Sequence, residues 1–209
     1  MKLLLVDDHA VVRAGIRQIL RTSFPTATFG EAGTASQAID YIAQQPWDLV
    51  ITDITMPGRS GLDLLKTIKD SRPRLPVLVL SVHAEDQFAI RVIKAGAAGY
   101  LNKDSAPAEL VGAVKKVLAG GKYVSSTLGE ALATGLQSKT DGDRHTLLSD
   151  REFEVFRHLS AGKTVKEIAF DLSLSVKTIS TYRGRILEKM DLHNNADLMR
   201  YAVQHNLLE

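Results

Sequence analysis

The sequence predicts two domains of different class: an α/β domain built on a parallel five-stranded sheet, then an all-α domain of four helices reached through a linker. Three observations predict this. Over the first 120 residues short apolar runs alternate with longer helical patterns, the sequence form of repeated βαβ units. From Ser138 to Thr146 the chain is polar, glycine-containing and without periodicity, as connecting segments are. Beyond Leu148 no strand-like run occurs, only helical segments separated by breaks of three to five residues. The expected division is an α/β domain over 1–121, a linker over 122–146 with a short helix near 128–136, and a helical domain over 147–209.

Three strands are near-continuous β-compatible runs, as strands buried on both faces require: Leu3 to Val6, Leu49 to Ile51 and Val77 to Leu80. Weaker runs at Thr28-Phe29 and Gly99 to Leu101 complete five. The helices expected between and after them cover Ala10–Ser23, Ala35–Gln45, Gly61–Asp70, Glu85–Ala95 and Ala106–Ala119. In the last, Leu110, Val111, Val114, Val117 and Leu118 fall at offsets 0, 1, 4, 7 and 8, one helical face. In the second domain Ser149 with Glu152 and Thr164 with Glu167 have capping-box spacing, in which hydroxyl and carboxylate satisfy helix-start N–H groups reciprocally. A third helix starts after Ser175, a good N-cap, and a fourth runs from about Ala196 to His205.

Composition excludes several classes. With 209 residues, 44% hydrophobic and 24% charged, the chain has enough apolar material for true cores and is not disordered throughout. No apolar run approaches the roughly 18–20 residues that cross a bilayer, and no signal-peptide pattern precedes Asp7, so a cytoplasmic location without membrane partners is expected. The lack of cysteine removes disulfides, thiolate metal sites and cysteine nucleophiles. Net charge is only +2, but residues 175–190 hold Lys177, Arg183, Arg185 and Lys189 against Glu188 alone, a local basic patch.

In a doubly wound sheet, ligands collect outside the carboxyl ends of the strands. There the first strand ends in Asp7-Asp8, the third in Asp53 and the fourth in Ser81, and Lys103 follows the fifth. Crowded carboxylates repel unless a cation joins them, and hard oxygen ligands suit Mg²⁺. A carboxylate beside such an ion can attack phosphorus to give an acyl phosphate, with a lysine neutralising the phosphoryl oxygens. Asp53, at the tip of the central strand, is the best-placed nucleophile. Lys103 is then the point-charge phosphate contact and Ser81 a hydroxyl donor. Nucleotide readings fail, since neither a P-loop nor a dinucleotide-binding glycine pattern is present.

These residues stand in motifs, Val6-Asp7-Asp8-His9, Thr52 to Gly58 with Gly61, Leu80-Ser81-Val82-His83 and Gly99 to Asp104, by which the first 120 residues resemble the receiver domain of bacterial two-component response regulators. The resemblance implies a flavodoxin-like (βα)5 fold. It implies that a sensor histidine kinase phosphorylates Asp53, and that Asp7, Asp8, Asp53 and the Thr55 backbone carbonyl hold Mg²⁺. It also implies that Ser81 and Tyr100 move on phosphorylation. The physics agrees, because a phosphoryl group adds charge and acceptors that Ser81 and Lys103 can meet. A haloacid-dehalogenase-like phosphatase would resemble this in nucleophile and metal, but a second acid is wanted two residues after the nucleophile, where Thr55 stands.

In the helical domain Val176, Ile179, Tyr182, Ile186, Leu187 and Met190 form one apolar face. The opposite face carries Lys177, Ser180, Thr181, Gly184, Arg185 and Glu188. A supporting helix over Val165–Leu172 and a short turn precede it, the pattern of a helix-turn-helix. With Leu148 to Glu152, Ala161 to Ala169 and Ser175 to Ile179, this part resembles the LuxR-type domain of NarL/FixJ-type response regulators. That implies binding to double-stranded DNA. Several members carry lysine at the positions of Ser180 and Gly184, so the groove contacts expected here are Lys177, Thr181 and Arg185, with Ser180 at shorter range. Arg183 is expected to reach a phosphate or another helix, and Lys189 belongs to the same basic patch. A homodimer forming on phosphorylation is expected, with Ala196, Leu198, Met199, Ala202 and Val203 as one candidate interface.

The resulting expectation is a phosphorylation-dependent DNA-binding transcription regulator, a switch and not a metabolic enzyme. The alternative is a phosphorylation-independent DNA binder with a degenerate receiver, against which the set Asp7, Asp8, Asp53, Ser81 and Lys103 is complete.

Overall fold

The first 120 residues order as five strand–helix units. In the computed structural model, which describes residues 1–81, 87–125, 128–129, 144–205 and 207, these are β1 (Lys2–Val6), α1 (Ala10–Ser23), β2 (Thr28–Ala32), α2 (Ala35–Gln44), β3 (Leu49–Asp53), α3 (Gly61–Ser71), β4 (Val77–Ser81), α4 (Gln87–Lys94), β5 (Gly99–Asn102) and α5 (Ala106–Leu118). All neighbouring strands pair in parallel, in the order β2-β1-β3-β4-β5. The sheet reverses its winding between β1 and β3, the position at which such sheets bind ligands.

Every residue of β3 and β4 is buried, which accounts for their unbroken apolar sequences. Leu3, Leu5, Leu49, Ile51, Leu78 and Leu80 pack against Leu20 of α1 and Leu110 and Val114 of α5. Leu4, Val50 and Val79 alternate with them and are equally buried, so they point to the other face of the sheet. β2 is longer than the two residues its sequence suggests, because its register with β1 runs on to Ala32.

The chain does not leave this domain directly after α5, although the sequence assigns it to the linker from 122. The Tyr123 N–H donates to the Ala98 carbonyl (2.9 Å) and the Tyr100 N–H to the Tyr123 carbonyl (3.1 Å). This parallel bridge covers the open edge of β5. Gly99 permits it, since a Cβ there would lie 2.7 Å from the Tyr123 carbonyl oxygen. The expected short helix over 128–136 and the polar stretch up to 143 lie almost wholly outside the described residues.

The chain divides into two compact units, Met1–Ala133 and Thr134–Glu209. In the second, a 3-10 turn (Arg144–Leu147) leads to α6 (Asp150–Ser160), α7 (Val165–Asp171), α8 (Val176–Met190) and α9 (Asn195–Gln204). Both capping boxes form, at Ser149 with Glu152 and Thr164 with Glu167, and Ser175 caps α8 through the Thr178 N–H. Phe153, Phe156, Leu159, Ile179, Ile186 and Met190 are fully buried. The 3-10 turn belongs to this core rather than to the linker. Arg144 donates to the Met190 and Asp191 carbonyls at the end of α8, and buried His145 places Nδ1 3.0 Å from the Tyr201 hydroxyl. Among the described residues no helix is long and apolar enough to cross a membrane.

Candidate functional site

Parallel strands that end together bring their last residues together. Asp7 and Asp53 are buried at the carboxyl ends of β1 and β3, and Ser81 is buried at the end of β4. Lys103, one residue beyond β5, reaches across the ends. Its Nζ lies 2.7 Å from Asp7 Oδ2 and 2.8 Å from Asp53 Oδ2. The backbone shapes the site from below as well, because the Gly61 N–H donates to the Ile54 carbonyl (2.8 Å). A Cβ on Gly61 would sit 1.9 Å from the Asp53 carbonyl oxygen, so α3 can start against the end of β3 only with glycine there.

The remaining oxygens divide their roles. Asp53 Oδ1 accepts from the Ile54 N–H (2.7 Å), and Asp7 Oδ1 accepts from the His9 N–H (2.8 Å). Asp8 Oδ1 is buried yet accepts no hydrogen bond, although His9 Nδ1 stands 3.1 Å away. Buried polar atoms are ordinarily satisfied, so this oxygen, facing its acidic neighbours, suits a cation. Donor atoms of Asp7, Asp8 and His9 lie within 4.8 Å of one another. His9 is thus a donor that the sequence reading did not single out, and its adjacency to the two aspartates was the available clue. Thr55 lies half-buried in the loop after β3.

Charge balance here is tight. Burial pushes the Asp53 carboxyl above the usual aspartate range and Asp7 adds to this, while Lys103 and the Ile54 N–H pull the other way without cancelling it. Burial alone would lower the Lys103 ammonium, but Asp53 and Asp7 outweigh it and hold it above the usual lysine range. The Lys103 ammonium between the two carboxylates thus compensates part of the negative charge that the strand ends bring together. Arg13, also missed from sequence, donates to the Asp7 carbonyl (2.5 Å) and pairs with Glu31 (3.2 Å), fixing α1 beside the pocket. Tyr100 is fully buried within β5, opposite Val79 of β4. Val82 and His83 of the third motif lie outside the described residues.

On α8 the basic residues differ in exposure and in partners. Lys177, Ser180, Thr181 and Arg185 are exposed and follow one another at helical spacing on the side away from Ile179 and Ile186. The Ser180 hydroxyl donates back to the Val176 carbonyl (2.9 Å) and that of Thr181 to the Lys177 carbonyl (3.0 Å). Arg183 turns to another helix, its Nε donating to Asn195 Oδ1 at 2.7 Å. Lys189, expected among the DNA contacts, donates to buried Glu152 (2.6 Å) and ties α8 to α6 while its side chain stays partly exposed. On α9, Leu198 and Ala202 belong to the domain's own core, which removes them as interface candidates. Ala196, Met199 and Val203 remain exposed on one side of that helix.

Comparison with known proteins agrees with both halves. Residues 3–115 match the family model of the response regulator receiver domain, and residues 146–202 that of the bacterial regulatory proteins of the luxR family. The response regulator UvrY of Escherichia coli K12 is 35% identical over 208 residues, covering 99% of this chain and 95% of UvrY. The response regulator GacA of Pseudomonas syringae pv. syringae is 34% identical over 210 residues, covering 100% and 98%. Among solved structures, RcsB from Salmonella enterica serovar Typhimurium, bound to promoter rprA in the presence of phosphomimetic BeF3−, is similar with a TM-score of 0.66. It shares 29% identity and covers 96% of this chain and 97% of that one. With both halves matched in order and relatives aligned from end to end, the chain belongs to the NarL/FixJ-type response regulators, which join a receiver domain to a LuxR-type DNA-binding domain.

Proposed function

We propose that Asp53 accepts a phosphoryl group from a sensor histidine kinase and that the acyl phosphate switches DNA binding by the helical domain. The observation that carries this is the Lys103 ammonium bridging Asp7 and Asp53 at the sheet's carboxyl edge. An Asp53 carboxylate oxygen forms the new bond to phosphorus as the donor's phosphorus–nitrogen bond breaks. Lys103 then exchanges part of its contact with the carboxylate for a phosphoryl oxygen, and the Ser81 hydroxyl donates to another.

The donor set fits Mg²⁺: Asp7, Asp8 and Asp53 with the Thr55 carbonyl would hold it, and it would neutralise charge on the phosphoryl group. Movement of Ser81 toward the phosphate would free or displace Tyr100, which shares β5 with the approach to Lys103. This gives the pocket a route to the α4-β5-α5 surface. The helical domain would enter the major groove with α8, through Lys177, Ser180, Thr181 and Arg185, as a homodimer reading two half-sites. Exposed Met199 and Val203 on α9 supply an apolar strip for that dimer. The protein would act in the cytoplasm as a switch rather than as an enzyme on outside substrates.

The test is DNA affinity with and without a phosphodonor, for wild type and Asp53→Ala. Tighter binding on phosphorylation in wild type alone is expected. Equal affinity of all four samples would establish a phosphorylation-independent DNA binder instead.

A further inference from the structure

At the sheet edge opposite Asp53, where β3 and β4 begin, lie two cavities of about 580 Å³ and about 410 Å³, within the size range of small-molecule sites. They share Asp48, Arg74 and Pro76 as walls and so form one trough. One end is apolar, lined by Ile42, Pro46, Trp47, Pro73 and Leu75. The other end holds Lys69 and Lys122, with Arg74 at the junction. The length of β3, Leu49–Asp53, roughly 13 Å at about 3.3 Å per residue, separates this trough from the phosphoryl site.

The cations exceed what the fold uses. Helix C-termini gather at this edge and favour positive charge, yet backbone donors already meet their last carbonyls. The Gln45 N–H donates to the Tyr41 carbonyl at the end of α2, the Arg72 N–H to the Ile68 carbonyl at the end of α3, and the Gly121 N–H to the Lys116 carbonyl at the end of α5. Lys69 Nζ is aimed by the Leu75 carbonyl (2.7 Å). Burial and repulsion from Lys122 hold its ammonium below the usual lysine range. No carboxylate answers these charges. Asp48, the one acid on the two walls, accepts from the Lys2 N–H (2.7 Å), and among the described residues Lys69, Arg74 and Lys122 form no ion pair.

We propose that this trough is a binding site for a small, soluble organic monophosphate. The apolar body lies against Trp47 and Leu75, and the phosphate meets Arg74, Lys69 and Lys122. Guanidinium and ammonium groups are established phosphate contacts, and a dianion balances three neighbouring cations better than a carboxylate does. The apolar end distinguishes such a ligand from inorganic phosphate, and the cationic end distinguishes it from a neutral alcohol.

The probe is mono-octyl phosphate, titrated into the full chain below its micellar concentration and in EDTA, so that no divalent ion draws phosphate toward Asp53. Trp47 is the sole tryptophan, so its fluorescence reports on the apolar end. 1-Octanol and inorganic phosphate serve as comparisons, and the variant is Arg74→Ala with Lys122→Ala, both exposed positions. Octyl phosphate should change Trp47 emission saturably, and each comparison should bind at least about tenfold more weakly. The variant should melt with wild type and lose at least about tenfold in affinity for octyl phosphate. Equal affinity of variant and wild type, or equal affinity for octanol and octyl phosphate, would overturn the inference. So would the absence of any saturable change, or sedimentation of the chain with phosphatidate vesicles in place of binding to the monomeric probe. Phosphorylation of Asp53 is measured separately and stands or falls independently of these results.

Discussion

With its ammonium within hydrogen-bonding distance of both Asp7 and Asp53, Lys103 offsets a repulsion that the fold creates by ending β1 and β3 side by side. Lys103→Met would leave only the Ile54 N–H to oppose burial and Asp7 at Asp53. The Asp53 carboxyl should then titrate at a higher pH than in wild type, measured by carboxyl-carbon NMR without divalent ions; an unchanged midpoint would contradict the charge balance described. Glu152 shows the opposite shift. Burial alone would raise its carboxyl, but Lys189 and the cap bonds from Ser149 hold it below the usual glutamate range. Because the folded state depresses this group, its stabilisation is present above the ordinary glutamate value and lost as pH falls through the depressed one. Glu152→Gln should therefore lower the stability of the helical domain by about 1–3 kcal/mol at neutral pH. In thermal melts the gap from wild type should close below about pH 4, and a gap independent of pH would refute the pairing. The aspartates and Lys103 were legible in sequence because strand ends can be counted and all point to one edge. The Glu152–Lys189 pair was not, since a helical wheel gives the direction of Lys189 but not the helix that lies there.

At the scale of elements, two glycines decide where helices and strands can meet. Gly61→Ala sets a methyl group against the Asp53 carbonyl oxygen, which is backbone and cannot swing away. A loss of about 1–3 kcal/mol is expected from such overpacking, together with slower phosphorylation of Asp53; a fully stable, fully reactive variant would show that α3 does not brace the site. Gly99→Ala should displace the Tyr123 bridge, read as faster hydrogen exchange at the Tyr123 and Tyr100 amides while those of β4 stay protected. Equal exchange in variant and wild type would argue against the bridge. The capping boxes and the βα alternation were legible because each is a local pattern with a fixed spacing. A bridge formed by one residue has no period, so Tyr123 read as linker. The 3-10 turn at Arg144–Leu147 was lost in the same way, its polar residues serving α8 and Tyr201 from a stretch that looks like tether.

For the molecule as a whole, two matched domains in one chain define a receiver and its effector, and phosphorylation of Asp53 is what would connect them. Intact-protein mass after incubation with Mg²⁺ and a small acyl-phosphate donor, for wild type and Asp53→Ala, tests that connection at its first step. Wild type should gain one phosphoryl group that hydroxylamine removes, as an acyl phosphate requires, and Asp53→Ala should gain none. Equal phosphorylation of both proteins, or a product stable to hydroxylamine, would contradict Asp53 as the acceptor.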